Sequence, residues 1–436
     1  MRLYHAAPVI LVVFALVFSS CLVKRNISRE LTSYSLNVLE RDRSDYHGFY
    51  AFVLYDMDKG EYVVNTRGDK LFLPASNTKL FTFFTSLNIL GDSLPVLEYD
   101  IDGDTLYFRG TGNPLALNPV FDDNYYARDF LRSHDKIFVF CNDNYYDKRF
   151  GSGWAWDDYI YDFQCEKNSF PLYGNKLTLS FEGDTVKMTP EHYFNVHFTA
   201  DSNRYYREEF SNDFWIGKFK NGTKLQIPFL TGQNNVIRML SRELGDTVLA
   251  GGVAECSARS FETYKIPFPD TVYMRLLKNS DNFIAEQLML MCASELFDTL
   301  STAKAIDYAK VNFFPWLENN SRWVDGSGLS RYNLFSPVQI VKVLQQIYQK
   351  EGWERIKRLF PSPGEGTLRK QNTGIPASAV FAKSGSMSNN YNLSGYIRTA
   401  KGNNFIFSFM HNHFLHGSTE VKKSIEKILQ YIYWHY

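Results

Sequence analysis

The chain has 436 residues, enough for two domains or for one domain interrupted by an insert. Its 47 basic and 47 acidic residues cancel to a formal charge of zero, which argues against a nucleic-acid partner bound through phosphate neutralisation. Aromatic residues make up 16% of the chain, a content typical of a β-rich protein with a strongly packed interior.

The first twenty residues have the pattern of an export signal. Arg2 and His5 precede an apolar run from Pro8 to Phe18, which is too short to span a bilayer. The small residues directly before Cys21 resemble a bacterial lipoprotein cleavage site, so Cys21 is predicted to carry a lipid. Because Phe18 stands where that site usually has an aliphatic residue, simple cleavage near Ser20 and an uncleaved anchor stay open. The prediction is an exported, periplasmic and membrane-anchored lipoprotein.

Four further cysteines follow Cys21. An oxidising compartment would allow three pairings among them, and the sequence does not choose between these. Cys292 lies in the apolar run Leu288–Ala293 and is predicted to be a packed free thiol. The others are Cys141, Cys165 and Cys256.

The first structural elements are a short helix and a hairpin. Ser28 to Asp42 alternates charged residues with leucines, which predicts a helix packed on the domain. Tyr50 to Tyr55 and Glu61 to Asn65 flank a turn that contains Gly60, which predicts a β-hairpin. This hairpin leads directly to a serine motif.

Residues 73 to 90 carry this serine motif on a predicted helix. Ser76 stands where the helix starts, and apolar residues recur at helical spacing until Gly91. Lys79 lies one turn on, where a desolvated neutral amine could take the proton of the Ser76 hydroxyl. Because Ser-x-x-Lys occurs four times, an N-cap serine followed by a surface lysine is the alternative at each position. The other three begin at Ser133, Ser301 and Ser424.

From residue 96 to 262 the chain is predicted to be a β-rich insert, because short apolar runs alternate with turn residues. Its strands are predicted at Tyr99 to Phe108, Lys136 to Phe140, Lys176 to Phe181, Thr185 to Met188 and Thr223 to Ile227.

After the insert, helical patterns return and a group of strands closes the chain. Helices are predicted at Met274 to Phe297, Thr302 to Phe313, Ser336 to Tyr348 and from Thr419, with strands at Val380 to Ser384, Leu393 to Thr399 and Phe405 to Met410. These strands would complete the sheet begun by the first hairpin. The predicted fold class is therefore α+β, with an antiparallel sheet flanked by helices. The predicted division is an export signal at 1–20, the first part of the catalytic domain at 21–95, the insert at 96–262 and the second part of the catalytic domain at 263–436.

Three motifs follow one another in the order Ser76-Asn77-Thr78-Lys79, Ser280-Asp281-Asn282 and Lys383-Ser384-Gly385. This set and order resemble the active-site serine penicillin-recognising enzymes, the penicillin-binding proteins and serine β-lactamases. The long interval between the first two motifs is similar to that of the low-molecular-mass class C penicillin-binding proteins, the D-alanyl-D-alanine carboxypeptidase/endopeptidase group. The stretches Lys278–Glu286 and Asp325–Asn333 also resemble this group.

The resemblance implies a β-lactamase/transpeptidase-like catalytic domain and a serine mechanism. Ser76 would attack the carbonyl of a D-alanyl-D-alanine terminus and carry the acyl group, with Lys79 as its base. Ser280 would relay a proton to the leaving amine, and Asn282 would bind a substrate amide while contacting Lys79. The backbone N–H groups of Ser76 and Ser386 would form the oxyanion hole.

Substrate recognition is implied for the third motif and for one acid of the insert. Lys383, Ser384 and Gly385 would hold the terminal carboxylate of the substrate. Asp158, in the Trp-rich stretch Gly153–Asp158, would pair with the side-chain amine of a diaminopimelate-type stem peptide. A purely structural acid is the alternative for Asp158.

The sequence thus predicts a D,D-carboxypeptidase and endopeptidase that acts on peptidoglycan peptides, needs no metal or cofactor, and is acylated by β-lactams at Ser76. The membrane would be contacted through the lipid on Cys21, and no nucleic acid is expected. Two alternatives stay open. One is a β-lactamase or esterase of the same fold, and the other is a catalytically idle peptidoglycan-binding lipoprotein.

Overall fold

The computed structural model describes residues 29–40, 48–183, 185–371, 373–415 and 417–436. The predicted export signal at 1–20 and the predicted lipid site at Cys21 lie outside these residues. Within the described ranges, no helix combines the length and the apolar character needed to cross a membrane.

The α-helices of the described residues are α1 (29–40), α2 (Lys79–Ile89), α3 (Tyr126–Arg132), α4 (Gln233–Leu244), α5 (Val253–Ser257), α6 (Asp270–Lys278), α7 (Asn282–Phe297), α8 (Thr302–Asn312), α9 (Pro337–Leu359) and α10 (Thr419–His435). The strands are β1 (Phe49–Asp56), β2 (Glu61–Thr66), β3 (Ser93–Asp102), β4 (Thr105–Gly110), β5 (Ile137–Cys141), β6 (Lys176–Glu182), β7 (Thr185–Thr189), β8 (Asn195–Ser202), β9 (Tyr205–Arg207), β10 (Asp213–Lys218), β11 (Lys224–Pro228), β12 (Val248–Ala250), β13 (Glu262–Pro267), β14 (Val380–Met387), β15 (Asn390–Arg398) and β16 (Asn404–Asn412).

The chain divides into two compact units. The first contains the described residues up to Leu73 together with Phe335–Tyr436, and the second contains Pro74–Leu334. The predicted insert boundaries at 95 and 262 fall inside the second unit and stay a prediction. Strands β3 and β13, which stand near these two boundaries, pair with each other in antiparallel fashion.

The first unit is built on an antiparallel sheet with the strand order β14-β15-β16-β1-β2. The C-terminal strands therefore complete the sheet begun by the first hairpin, as predicted. Phe52 of β1 lies opposite Phe409 of β16, and the two buried rings stack with centroids 4.1 Å apart. Helix α9 packs on this sheet, where Tyr396 of β15 donates a hydrogen bond to the Leu344 carbonyl at 2.8 Å. Buried side chains of α1 and α10 join the same apolar core.

The second unit places helices beside three small sheets. Helix α7 is buried along most of its length and packs against α2, which presents Phe81 and Phe83 to the core. The sheets have the strand orders β12-β5-β4-β3-β13, β11-β6-β7 and β8-β10-β9. A disulfide joins Cys141 at the end of β5 to Cys256 of α5, while Cys165 and Cys292 are buried free thiols. The prediction for Cys292 is confirmed.

Three predicted elements are wrong in their extent. The helix predicted from Ser336 to Tyr348 is longer, since α9 continues to Leu359. The strand predicted from Tyr99 to Phe108 is a hairpin, because the chain turns at Gly103 with a positive φ of 57°. The helix predicted from Met274 to Phe297 is broken into α6 and α7 at Ser280, whose φ is 58°. The side chains of serine and aspartate can form hydrogen bonds with nearby backbone groups, and these bonds compete with those of a helix. The helix therefore breaks at Ser280-Asp281, although apolar residues recur at helical spacing on both sides.

Candidate active site

Ser76 lies in a short 3₁₀ turn, Ala75–Thr78, that comes directly before α2. The predicted helix start at Ser76 is therefore wrong by one turn, since the α-helix begins at Lys79. In a 3₁₀ turn the side chains of residues i and i+3 lie one above the other. This brings Ser76 Oγ within 3.0 Å of Lys79 Nζ, so the predicted nucleophile and base are hydrogen-bonded.

At another Ser-x-x-Lys match, the serine is an N-cap residue, which was the alternative interpretation of this motif. Ser301 is the N-cap of α8 and accepts a hydrogen bond from the Lys304 backbone N–H. Ser76 makes its hydrogen bond to the lysine side chain instead. The same spacing therefore has different structural consequences at the two sites.

Lys79 is fully buried, and its amine group lies within reach of three oxygen atoms. Nζ is 3.0 Å from Ser76 Oγ, 2.6 Å from Asn282 Oδ1 and 2.6 Å from the Ser327 carbonyl oxygen. Burial lowers the pKa of Lys79 to about 8, although nearby carboxylates, of which Asp325 acts most strongly, oppose this shift. At pH 7 about one Lys79 in ten would then be neutral and able to act as a base.

Hydrogen bonding orients the Lys79 lone pair. Asn282 Nδ2 donates to the Phe163 carbonyl oxygen at 2.9 Å, which fixes the Asn282 amide with Oδ1 toward Lys79. Asn282 Oδ1 and the Ser327 carbonyl can only accept, so they take the two hydrogens of a neutral Lys79 amine. The remaining lone pair is then directed to the Ser76 hydroxyl.

The second motif occupies the break between α6 and α7. Asp281 caps α7 by accepting a hydrogen bond from the Ile284 N–H at 3.2 Å, and it pairs with Arg275 at 3.1 Å. Burial would raise the pKa of Asp281, but Lys176 and Arg275 hold it below its usual value. Ser280 is half-buried in a left-handed conformation, and its role as a relay stays a prediction.

The loop Asp325–Asn333 shapes another side of the Lys79 site. Buried Asp325 accepts hydrogen bonds from the backbone N–H groups of Gly328 at 2.9 Å and Ser330 at 2.6 Å. Gly328 has a φ of 85°, and a Cβ there would lie 1.9 Å from the Ala75 carbonyl oxygen. The glycine therefore allows this loop to approach the 3₁₀ turn that carries Ser76.

Glu286 supports the same loop from α7. Its Oε1 accepts a hydrogen bond from the Ser327 N–H at 2.7 Å, which helps to orient the Ser327 carbonyl toward Lys79. Burial and the Asp325 carboxylate raise the pKa of Glu286 to about 7. No role was predicted for Asp325 or Glu286, although both stand in stretches that resemble the class C group. An acid inside an apolar helix, as at Glu286, was the signal that could have identified one of them.

The third motif lies on strand β14 in the first unit. Lys383 is buried and donates a hydrogen bond to the Ser384 carbonyl at 2.8 Å. Ser384 Oγ donates to Thr367 Oγ1 at 2.8 Å. Gly385 is buried and Ser386 is exposed, so the chain leaves the packed part of the strand at Ser386.

Asp158 lies in the 3₁₀ turn Trp156–Ile160 and is half-buried. Burial and the neighbouring Asp157 raise its pKa, while Arg331 opposes the shift. The stretch before it is attached to the Asp325 loop, since Trp154 Nε1 donates to Asp325 Oδ2 at 2.9 Å. Its proposed pairing with a substrate amine stays a prediction.

One cluster of the described residues has ligand atoms spaced for a metal ion. The side-chain ligand atoms of Cys141, Asp143 and Cys256 all lie within 4.8 Å of one another. The two sulfur atoms form the disulfide, which removes the thiolates that a metal would need. This cluster therefore does not fit a metal site.

Known proteins resemble the chain over most of its length. It is 22% identical over 452 residues to D-alanyl-D-alanine carboxypeptidase DacB of Haemophilus influenzae, covering 87% of this chain and 88% of the relative. It is 23% identical over 446 residues to penicillin-sensitive carboxypeptidase A of Dictyostelium discoideum, covering 86% and 85% of the two chains.

The fold also matches solved structures. Penicillin binding protein 4 (dacB) of Haemophilus influenzae superposes with a TM-score of 0.73 at 19% identity, covering 92% of this chain and 99% of that one. A predatory peptidoglycan endopeptidase of Bdellovibrio bacteriovorus gives a TM-score of 0.51 at 12% identity, covering 88% and 92%. These matches confirm the predicted fold class.

Residues 266–432 match the model of the D-Ala-D-Ala carboxypeptidase 3 (S13) family. This segment contains the second and third motifs, while the relatives extend the similarity to the part of the chain that carries Ser76 and Lys79. The predicted resemblance and the predicted enzyme class are thereby confirmed: the second part of the chain is similar to the D-Ala-D-Ala carboxypeptidase 3 (S13) family, and the whole chain is similar to D-alanyl-D-alanine carboxypeptidases.

Proposed function

We propose that the protein is a serine-type D-alanyl-D-alanine carboxypeptidase and endopeptidase that works through an acyl-enzyme on Ser76. The observation that carries the proposal is the 3.0 Å hydrogen bond between Ser76 Oγ and a buried Lys79 whose pKa is lowered to about 8. A serine hydroxyl is a weak nucleophile until a neighbouring base takes its proton. Lys79 supplies that base without a metal or a cofactor.

In acylation, Ser76 Oγ bonds to the carbonyl carbon of the penultimate D-alanine while its proton passes to Lys79. The backbone N–H groups of Ser76 and Ser386 stabilise the oxyanion. As the C–N bond breaks, the departing amine takes a proton through Ser280. Water then attacks the ester, and Ser76 regains its proton as the peptide leaves.

Selectivity for a chain end requires a group that binds a free carboxylate. Lys383 and the Ser384 hydroxyl, beside Gly385, are proposed for this role, since a charge-assisted pair with a carboxylate is stronger than a neutral hydrogen bond. Asp158 is proposed to bind the side-chain amine of a diaminopimelate-type stem peptide. The raised pKa of Asp158 means that such a cation would bind better as the carboxyl group ionises.

The location of the enzyme is part of the proposal. Export by residues 1–20 and a lipid on Cys21 would place the catalytic region in the periplasm, attached to a membrane, where peptidoglycan is found. The insert is proposed to span 96–262, supported by the pairing of β3 with β13 near its two ends.

The test is the intact mass of the protein from Asn26 onward, before and after incubation with benzylpenicillin. A stable adduct of one penicilloyl group, mapped to the peptide that holds Ser76, is expected. Ser76→Ala should remove both the adduct and the release of D-alanine from a pentapeptide. Ser133→Ala is the matched control, because Ser133 begins another Ser-x-x-Lys match, at an exposed position.

Other outcomes would assign one of the alternatives. An adduct that persists in Ser76→Ala would show that the nucleophile is a different residue. Consumption of the drug without a stable adduct would indicate a β-lactamase. An unchanged drug and an unchanged pentapeptide would indicate an idle wall-binding protein.

A further inference from the structure

An open groove of about 450 Å³ lies in the second unit beside the sheet β8-β10-β9. Its size falls within the range of small-molecule sites, roughly 300–1,000 Å³. Both aromatic and polar side chains line it. The lining includes Tyr161, Thr199, Asp201, Arg204, Tyr206 and Trp215.

A row of rings crosses the exposed face of this sheet. Trp215 of the central strand β10 has its ring centroid 5.0 Å from that of His197 on β8 and 6.0 Å from that of Tyr206 on β9. Its neighbours along the strand, Phe214 and Ile216, are buried. The sheet therefore uses one face for its core and presents the aromatic row on the other.

The wall of the groove is held in place by a buried arginine. Arg207 Nη1 donates to the carbonyl oxygens of Glu208 at 2.7 Å and Ser211 at 3.0 Å. The hydroxyl of Tyr159 donates to the Arg207 carbonyl at 3.2 Å, and the Arg207 guanidinium lies 5.0 Å from the Tyr159 ring. The turn that carries Tyr161 is thus attached to β9, so contacts within the protein fix the shape of the groove.

A short chain of contacts joins the groove to the catalytic lysine. Tyr161 stacks on Phe163 with ring centroids 5.5 Å apart. The Phe163 carbonyl accepts the hydrogen bond from Asn282 Nδ2, and Asn282 Oδ1 contacts Lys79. A substrate held at Asn282 would therefore extend along the aromatic side chains of this turn toward the groove.

The lining chemistry identifies the class of ligand. Flat rings bind the C–H faces of a saccharide, while its hydroxyl and acetamido groups need both donors and acceptors. Arg204 supplies donors, Asp201 supplies acceptors, and Thr199 supplies both. An apolar partner would leave these polar groups unpaired, and a strongly charged partner would meet one acid and one base that oppose each other.

We propose that this groove binds the N-acetylated amino sugars of the glycan strand to which the stem peptide is attached. This inference rests on the proposed function, because it is the peptide bound at Ser76 that carries the glycan. The groove would then make the enzyme prefer glycan-linked peptides over free peptides. It would contribute to recognition without touching the reacting atoms.

The test compares a free pentapeptide with the same pentapeptide on an N-acetylglucosaminyl-N-acetylmuramyl disaccharide. The kcat/KM of the wild-type protein should be about tenfold higher for the disaccharide substrate, the gain that one aromatic stacking contact can supply. In Trp215→Ala, and in Tyr206→Ala as the second variant, the ratio of the two values should fall to about one. Phe198→Ala, which removes another exposed aromatic of the same sheet outside the groove lining, should keep the wild-type ratio.

Penicillin labelling separates the two hypotheses. If benzylpenicillin labels the wild type but the wild type does not prefer the disaccharide substrate, the groove proposal is overturned while the serine mechanism stands. The same holds if Phe198→Ala abolishes the preference as fully as Trp215→Ala does. If the enzyme prefers a longer stem peptide and not the disaccharide, the groove binds peptide, and the proposal that it binds the glycan is overturned. If the wild type is not labelled, isothermal titration calorimetry with a tetramer of N-acetylglucosamine decides, since binding that is lost in Trp215→Ala but kept in Phe198→Ala supports the groove, and no binding to the wild type overturns it.

Discussion

Asn282 accepts a hydrogen bond from Lys79 at 2.6 Å, although 203 residues separate the two in the sequence. The contact ties the first catalytic motif to the second and fills one of the two acceptor positions that a neutral Lys79 amine requires. Since the Ser327 carbonyl fills the other, the lysine lone pair is left for Ser76. The activity of Ser76 should therefore follow the protonation state of Lys79.

The pH dependence of acylation should report this lysine. Because burial lowers the Lys79 pKa to about 8, the neutral base is the minor form below this pH and the major form above it. The rate of acylation by benzylpenicillin should rise about tenfold per pH unit below 8 and level off above it. Lys79→Arg stays protonated and should lower the rate about 10²- to 10⁴-fold. Stopped-flow measurements that find a rate independent of pH would contradict this assignment.

Glu286→Gln should move the pH profile to lower pH. The Glu286 carboxylate raises the pKa of Lys79, so its removal should lower that pKa further. The glutamine keeps an oxygen for the Ser327 N–H, which preserves the loop. The shift should be seen mainly above pH 7, because the Glu286 pKa of about 7 makes it charged there. Glu295→Gln, on the same helix and paired with Lys265, is the control, and an equal shift in it would refute a specific effect.

Gly328→Ala should destabilise the protein and slow acylation. The new Cβ would lie 1.9 Å from the Ala75 carbonyl, and the φ of 85° is strained for an alanine. We expect a loss of about 2–4 kcal/mol in the free energy of unfolding, measured by urea titration. The acylation rate should also fall, because the Ser327 carbonyl that orients Lys79 is displaced.

Gly222→Ala separates the two causes of this loss. Gly222 has a φ of 81°, and a Cβ added there would meet no atom of the described residues within 4 Å, so only the backbone strain applies. Its loss should be about 1 kcal/mol with no change in acylation. Equal losses in the two variants would mean that the close approach of the Asp325 loop to Ala75 is not important.

Lys383→Met should remove selectivity for a free carboxylate. Hydrogen bonds to charged groups contribute about 1.5–3 kcal/mol, so kcat/KM for a D-alanyl-D-alanine peptide should fall roughly 10- to 100-fold. The C-terminal amide of the same peptide should be turned over at an unchanged low rate. Lys401→Met, at an exposed position of the same unit, should leave both rates unchanged. A parallel loss on acid and amide would assign Lys383 a structural role instead.

Much of the fold and of the site could be predicted from local pattern. Short apolar runs bounded by turn residues placed the first hairpin and the C-terminal strands, and their pairing through β1 and β16 followed from the need of these strands to share one core. Ser76 and Lys79 could be recognised because their contact depends on a spacing of three residues. The order of the three motifs was sufficient to predict the family.

The tertiary structure decided what depends on distant residues. The apolar pattern around Ser280 favoured one long helix, and only the capping of α7 by Asp281, which pairs with Arg275, shows where the chain breaks. Three other features depend on segments brought together from far apart in the chain. These are the pairing of the cysteines, the orientation of the Ser327 carbonyl by Asp325 and Glu286, and the aromatic row that contains Trp215. Local propensity determines short elements because neighbouring residues share backbone hydrogen bonds. Burial, which lowers the pKa of Lys79, exists only once the whole unit has folded around it.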